Sequence, residues 1–249
     1  MIVMGVSLCI PASYRRPCPL SRLDNPAPAP YPRTMPAKHF AHVETWVFDL
    51  DNTLYPPETA LFPQINLRMT DYVMRVTGAD RAEADRLRHH YWREHGTTLA
   101  GLMHHHGIDP DPFLVEVHEI DFTVLAPDPA LAERIAALPG RRIVYTNGTE
   151  PYARRVLEHR GFADLFDAVY GVEHASYTPK PRTEAFETVF RTDGLDPARS
   201  AMFEDDPRNL AAPHAMGMRT VHVAPEPEPA DHIHHHTDDL AAFLGLLRG

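Results

Sequence analysis

The apolar positions change their period twice along the chain. Trp46-Val47-Phe48 is a short apolar run, the length of a buried strand, and it stops at Asp49-Leu50-Asp51-Asn52-Thr53-Leu54-Tyr55. Pro56 and Pro57 break that strand, and the spacing then becomes helical. Ile65, Met69, Tyr72, Val73 and Val76 share one face at i, i+4, i+7, i+8 and i+11, and Gly78 ends the run. Asp80 with Glu83 three residues on has the form of a capping box, and Ala84, Leu87 and Tyr91 carry a second helix to Gly96. Leu99, Leu102 and Met103 predict a third helix closed by Gly107, and residues 112–118 a fourth. Residues 57–127 are therefore expected to be a helical cap inserted between two parts of another domain.

From Pro129 onward, helix and strand alternate. Leu131, Ile135 and Leu138 predict a helix, residues 142–145 a strand ending at Thr146-Asn147-Gly148, and residues 152–160 a helix. A strand at 168–170 and a helix at 183–193 follow, and then a strand at 201–203 ending in Glu204-Asp205-Asp206. A helix at 210–216, a strand at 220–223 and a closing helix at 238–247 complete the pattern. Repeated βα units predict an α/β fold, a Rossmann-like doubly wound parallel sheet with right-handed crossovers. Residues 41–56 and 128–249 would form this core.

Residues 1–40 differ. Proline is dense, Cys9 and Cys18 lie there, and no periodic apolar pattern continues past Ile10, so the segment reads as a disordered extension. Its first twelve residues are too few to span a membrane and carry no basic residue before the apolar part, which makes a poor signal peptide. Met35 lies eleven residues before the first strand, which motivates the hypothesis that translation starts there. Intact-mass measurement showing native protein beginning at Met1 refutes it.

Composition narrows the function classes. At 249 residues the chain can bury a sizeable core, and 43% hydrophobic with 23% charged residues is the balance of a water-soluble globular protein. A formal charge of −10 argues against a nucleic-acid surface. No cysteine follows Cys18, so the folded part has neither a disulfide framework nor a thiolate metal site, and a cytoplasmic, reducing location is expected.

Polar residues collect just after the strand ends, where open α/β sheets place ligands. Asp49 and Asp51 are two apart on extended chain and point to one face, so their carboxylates converge and repel unless a cation or proton intervenes. Asp49 is the candidate nucleophile and Asp51 the candidate acid and base. Thr146, Asn147 and Gly148, before a helix starting near Pro151, are candidates for binding phosphoryl oxygens, with Thr53 and Tyr55 on the substrate side. Lys180, between Pro179 and Pro181, is a point cation, and Glu204 and Asp205 add hard oxygen ligands suited to Mg²⁺. Phosphate-monoester hydrolysis needs accelerations of up to ~10²¹, which only such a set acting together supplies.

These segments resemble the haloacid-dehalogenase-like (HAD) hydrolase superfamily over about residues 43–245. Its four motifs match as Asp49-x-Asp51-x-Thr53, Thr146, Lys180 and Glu204-Asp205. The resemblance implies a Rossmann-like core, a helical cap after the first motif, Mg²⁺ held by Asp49, the Asp51 carbonyl and Asp205, and Asp49 as nucleophile. True dehalogenases lack the second acid, so Asp51 implies phosphate chemistry. The stretches 49–55, Tyr91-Trp92-Arg93-Glu94-His95-Gly96, Thr146-Asn147-Gly148 and Gly161-Phe162-Ala163-Asp164-Leu165-Phe166-Asp167 are similar to the pyrimidine 5′-nucleotidase subgroup. That subgroup usually has Asp-Asp-Ser before an Asn, whereas here Glu204-Asp205-Asp206 precede Asn209.

The expected activity is Mg²⁺-dependent hydrolysis of a small phosphomonoester through an aspartyl-phosphate, with a pyrimidine nucleoside monophosphate as substrate. The alternatives are phosphoglycolate or a sugar phosphate as substrate, or a non-catalytic module holding a phosphorylated ligand. Neither nucleic acid nor membrane is an expected partner, and the oligomeric state stays open. Tyr91, Trp92 and His104-His105-His106 fall where a cap would face a base or sugar, while His232 and His234-His235-His236 read as incidental metal ligands in a Pro-rich stretch.

Overall fold

A computed structural model describes residues 37–247 of the chain. Residues 1–36, with both cysteines and Met35, lie outside the described residues. Helix α1 (Ala37–Phe40) opens the described part, and its Phe40 is buried beside Trp46 and Phe243, with ring centroids 6.0 and 5.9 Å away. Phe40, read from sequence as the end of an extension, thus packs into the core. Strand β1 (Thr45–Phe48) follows and is buried along its whole length.

Four helices come next: α2 (Leu61–Thr77), α3 (Arg81–His95), α4 (Thr98–His106) and α5 (Pro110–Val117). Their ends follow local chemistry. Asp80 caps α3 by accepting the Glu83 N–H at 2.9 Å, and Thr97 caps α4 through the Ala100 N–H at 3.1 Å. After them come α6 (Pro129–Ala136), β2 (Arg141–Tyr145), α7 (Glu150–Arg160), β3 (Ala168–Tyr170), α8 (Thr183–Asp193) and β4 (Ser200–Glu204). The chain closes with α9 (Ala211–Ala215), β5 (Arg219–Val223), β6 (His235–Thr237) and α10 (Leu240–Gly245).

All six strands are parallel, in the order β3-β2-β1-β4-β5-β6. One apolar cluster covers each face, which is why Trp46-Val47-Phe48 of β1 and Ala201-Met202-Phe203 of β4 are consecutive apolar residues rather than alternating ones. On one face Phe48 stacks on Phe203 at 4.7 Å, and on the other Tyr145 meets the edge of Phe186 at 5.6 Å.

Arg160, at the end of α7, secures the connections on both sides of α2–α5. Its Nε donates to the Leu54 carbonyl at 3.1 Å, Nη1 to the Ala126 carbonyl, and Nη2 to Asp128 at 2.8 Å. The guanidinium is buried, and these acceptors satisfy it.

The histidine-rich stretch is structured. His235 and His236 lie on β6, His234 pairs with the Thr220 hydroxyl at 2.7 Å, and His232 with the Pro207 carbonyl at 2.9 Å. Backbone pairing with β5 holds His235 and His236 in place, and side-chain hydrogen bonds hold His232 and His234.

Candidate active site

The strand order reverses direction of growth between β1 and β4, and a crevice opens there beyond the carboxyl ends. The register pairs Phe48 with both Val144 and Phe203, so one residue further along, Asp49 lies beside Tyr145 and Glu204. The Asp49 N–H still bonds the Phe203 carbonyl at 2.9 Å, which holds the nucleophile candidate in strand geometry. Lys180 enters from the loop before α8. Its Nζ donates to Asp49 Oδ1 and Glu204 Oε2, each at 2.6 Å, and to the Tyr145 carbonyl at 3.1 Å.

Asp49, Glu204 and Asp205 each offer a carboxylate oxygen within 4.8 Å of the others. Three acids share this volume with one lysine, and Asp49 and Lys180 are only 4% and 1% exposed. Burial, then repulsion from Glu204, holds the Asp49 carboxyl well above the usual range, against the lowering effect of Lys180. Asp205 is raised in the same way by burial, Glu204 and Asp49. Burial disfavours a charged Lys180, but Asp49 and Glu204 outweigh it and keep the ammonium charged. An unbalanced, oxygen-only acid cluster is what a divalent cation relieves, so the residues present fit Mg²⁺. Glu204 is the most committed of the three, since Oε2 serves Lys180 and Oε1 accepts the Asp206 N–H at 3.2 Å. Asp205 is steadied by Asn52, whose Nδ2 donates to Oδ2 at 3.1 Å.

Asp51 points elsewhere. Tyr152 and Tyr55 both donate to its Oδ1, at 2.5 and 2.6 Å, and Thr146 Oγ1 lies 3.5 Å from Oδ2. The Asp51 carboxyl therefore stands outside the three-acid cluster, and the role implied for it at a metal involves its backbone carbonyl alone. Burial raises its pKa, and the hydrogen bonds from Tyr152 and Tyr55 counteract that. Tyr55 is buried at 1% exposure and meets Asp51 rather than the cavity. The Thr53 hydroxyl is buried without a hydrogen-bond partner among the described residues.

Protein groups already use much of the anion cradle expected at the start of α7. The Gly148 N–H donates to Thr146 Oγ1 at 2.9 Å, Glu150 N–H to Glu173 at 2.7 Å, and Tyr152 N–H to Thr149 Oγ1 at 3.3 Å. Asn147 spends its side chain on the lysine loop: Nδ2 donates to the Lys180 carbonyl at 3.2 Å, and Oδ1 accepts the Lys180 N–H at 2.8 Å. Thr146, Asn147 and Gly148 nevertheless line the cavity.

That cavity measures about 440 Å³, with the acids and Lys180 on one side and residues of α2, α3, α4 and α5 on the other. Gly96, ending α3 with φ of 89°, lies against the Lys180 loop, where a Cβ would come within 3.1 Å of the Lys180 carbonyl. Trp92 borders the cavity beneath Arg208, whose guanidinium carbon lies 3.6 Å from the indole centroid and which also pairs with Asp206. Tyr91, by contrast, is buried between α3 and α4 and donates or accepts with His106 at 2.8 Å. Sequence reasoning missed Asn52, Asn66, Arg88, His118, Tyr152 and Arg208 as residues of this region. Only Asn52, inside the first motif, and Arg208, beside the acidic run, carried a local signal.

Residues 43–217 match the family described as "Hydrolase: haloacid dehalogenase-like hydrolase". Phosphate metabolism protein 8 of Saccharomyces cerevisiae is 28% identical over 192 residues, covering 70% of this chain and 60% of that protein, so the chain spans only part of the relative's length. Among solved structures, CbbY of Rhodobacter sphaeroides in complex with phosphate superposes with a TM-score of 0.58 at 17% identity, covering 82% of this chain and 99% of that one. A HAD phosphatase of Thermococcus onnurineus gives 0.57 at 17% identity, with 83% and 99% covered. At those identities the two structures share the fold. No helix among the described residues is long and apolar enough to cross a membrane.

Proposed function

The chain belongs to the haloacid dehalogenase-like hydrolase family, and we propose that it is a Mg²⁺-dependent phosphomonoesterase whose substrate is a pyrimidine nucleoside 5′-monophosphate. The observation that carries this reading is the separation of two aspartates, Asp49 among charges with Lys180 and Asp51 among phenol donors. A nucleophile needs to be ionised, which the Lys180 ammonium favours at Asp49, whereas a general acid needs to hold a proton, which burial favours at Asp51 against the pull of the two phenol donors. The name of the yeast relative, the phosphate in the CbbY structure and the apolar wall of the cavity support the reading.

Asp49 attacks phosphorus, the bond from phosphorus to the leaving oxygen breaks, and an aspartyl-phosphate forms. Both tyrosines occupy Oδ1 of Asp51, so its proton rides on Oδ2 and passes to the leaving oxygen. Asp51 then takes a proton from water, which attacks phosphorus, releases inorganic phosphate and restores the Asp49 carboxylate. Lys180 holds Asp49 in line and offsets charge on the transferring group, while the Thr146 hydroxyl, which accepts the Gly148 N–H and donates only a long contact to Asp51, can turn its proton to a phosphoryl oxygen. A Mg²⁺ ion held by Asp49 and Asp205, with Glu204 behind them, would neutralise phosphoryl charge when bound.

Phosphate release from p-nitrophenyl phosphate and from a panel of phosphomonoesters tests this. Activity is expected with Mg²⁺, reversibly lost with EDTA, and abolished by Asp49→Asn. Preference for phosphoglycolate or a sugar phosphate would replace the nucleotide, and no turnover on any phosphomonoester would leave a ligand-binding module.

A further inference from the structure

On α2, Phe62, Ile65, Asn66 and Met69 recur at helical spacing and border the cavity, so the helix presents an apolar face interrupted by one amide. Arg88 of α3 donates from Nη1 to Asn66 Oδ1 at 2.9 Å. A guanidinium has donors only, so the amide oxygen must face it and the amide nitrogen must face away. Nδ2 has no hydrogen-bond partner among the described residues. Arg88 is itself fixed, since Nε and Nη2 donate to Asp85 Oδ1 at 3.3 and 3.0 Å and its side chain is 13% exposed. Two N–H donors therefore stand among apolar groups, in the wall contributed by α2 rather than by the phosphoryl-binding strand ends.

We infer that Asn66, oriented by Arg88, is a specificity-determining donor that reads a carbonyl oxygen on the far edge of the leaving group. The cavity thus selects 4-oxo pyrimidine nucleotides, of uracil or thymine type, over 4-amino ones. This rests on the nucleotide reading proposed above. Phe62, Ile65 and Met69 suit the faces of a ring, and position 4 lies on the edge of the ring away from the sugar. A carbonyl there accepts from Nδ2, whereas an amino group sets donor against donor and leaves both unpaired. Arg88 is a positioning residue: without it the amide rotates and offers either atom.

The test is the ratio of kcat/KM for UMP to that for CMP, measured on the same protein sample so that any loss of folded protein cancels. The wild-type ratio is expected above one. In Asn66→Asp the carboxylate pairs with Arg88 and turns an acceptor to the cavity, so the ratio falls about tenfold or more. Arg88→Met moves it toward one. An unchanged ratio in Asn66→Asp, or a wild-type preference for CMP, overturns the inference and leaves the nucleotidase reading standing. Wild-type protein that cleaves p-nitrophenyl phosphate but neither nucleotide overturns both.

Discussion

Tyr152 donates to Oδ1 of Asp51 at 2.5 Å across 101 residues of sequence, and Tyr55 shares the same acceptor oxygen. The pair holds Oδ1 and leaves Oδ2 with only the long contact from Thr146. Removing either phenol loosens that hold. Tyr152→Phe is expected to lower kcat for an alkyl phosphate by about 10- to 100-fold, the scale of a hydrogen bond to a charged group. The loss for p-nitrophenyl phosphate should be smaller, because its leaving group departs without a proton. Equal losses on both substrates would show that the tyrosine only supports the fold.

Lys180 is the sole cation touching Asp49 and Glu204 among the described residues. Lys180→Met leaves two buried acids unpaired, a change of about 3–5 kcal/mol in stability for a buried ion pair broken on one side. Urea unfolding without metal should show that drop. Saturating Mg²⁺ should recover part of it, while phosphatase activity stays lost.

Asp49 and Asp205 have folded pKa values above their unfolded ones, chiefly through burial. The folded protein without metal therefore binds protons more tightly than the unfolded chain. That contribution is complete below the unfolded carboxyl value near 3.8 and is lost as pH rises through the folded values. Metal-free protein should consequently lose stability from these groups as pH rises toward neutrality. Mg²⁺ competes with those protons, so its stabilising effect should grow with pH. Melting temperatures with Mg²⁺ and with EDTA at pH 5 and 7.5 check this, and a Mg²⁺ shift larger at pH 5 refutes it.

His118 lies flat against Tyr152, with centroids 4.1 Å apart, and burial pushes its pKa down to about 4. It is kept neutral in the folded state, so its contribution is present above the unfolded value of 6.5 and is lost as pH falls through about 4. The difference amounts to as much as about 3 kcal/mol. His118→Phe keeps the stacking and removes the ionisable group. Between pH 6.5 and 4 the variant should lose less stability than wild type, measured by urea unfolding at fixed Mg²⁺.

Most of the sheet was legible because β1, β2 and β4 carry apolar runs closed by polar residues, β5 alternates Val221 and Val223 with polar residues, and α8 declared both its ends. Strand β6 escaped because His235-His236-Thr237 is short, polar and on the sheet edge, where pairing with β5 rather than burial forms the strand. The acids stand out locally, since charges directly after an apolar strand have no reason in packing, and Lys180 stands out by the prolines on either side of it. Tyr152, Asn66 and Arg88 do not. Each occupies an ordinary helical position, and its significance arises from a partner brought near by tertiary folding, which no local periodicity encodes.

The two hydrogen bonds between Asn147 and the Lys180 backbone splice the turn after β2 to the loop before α8. A single amide thus obliges these two segments to shift together. Displacement of the lysine loop is thereby communicated to Thr146 without passing through substrate. Evolution or engineering that repositions the ammonium must accordingly re-aim the hydroxyl as well, which ties the two adjustments into one.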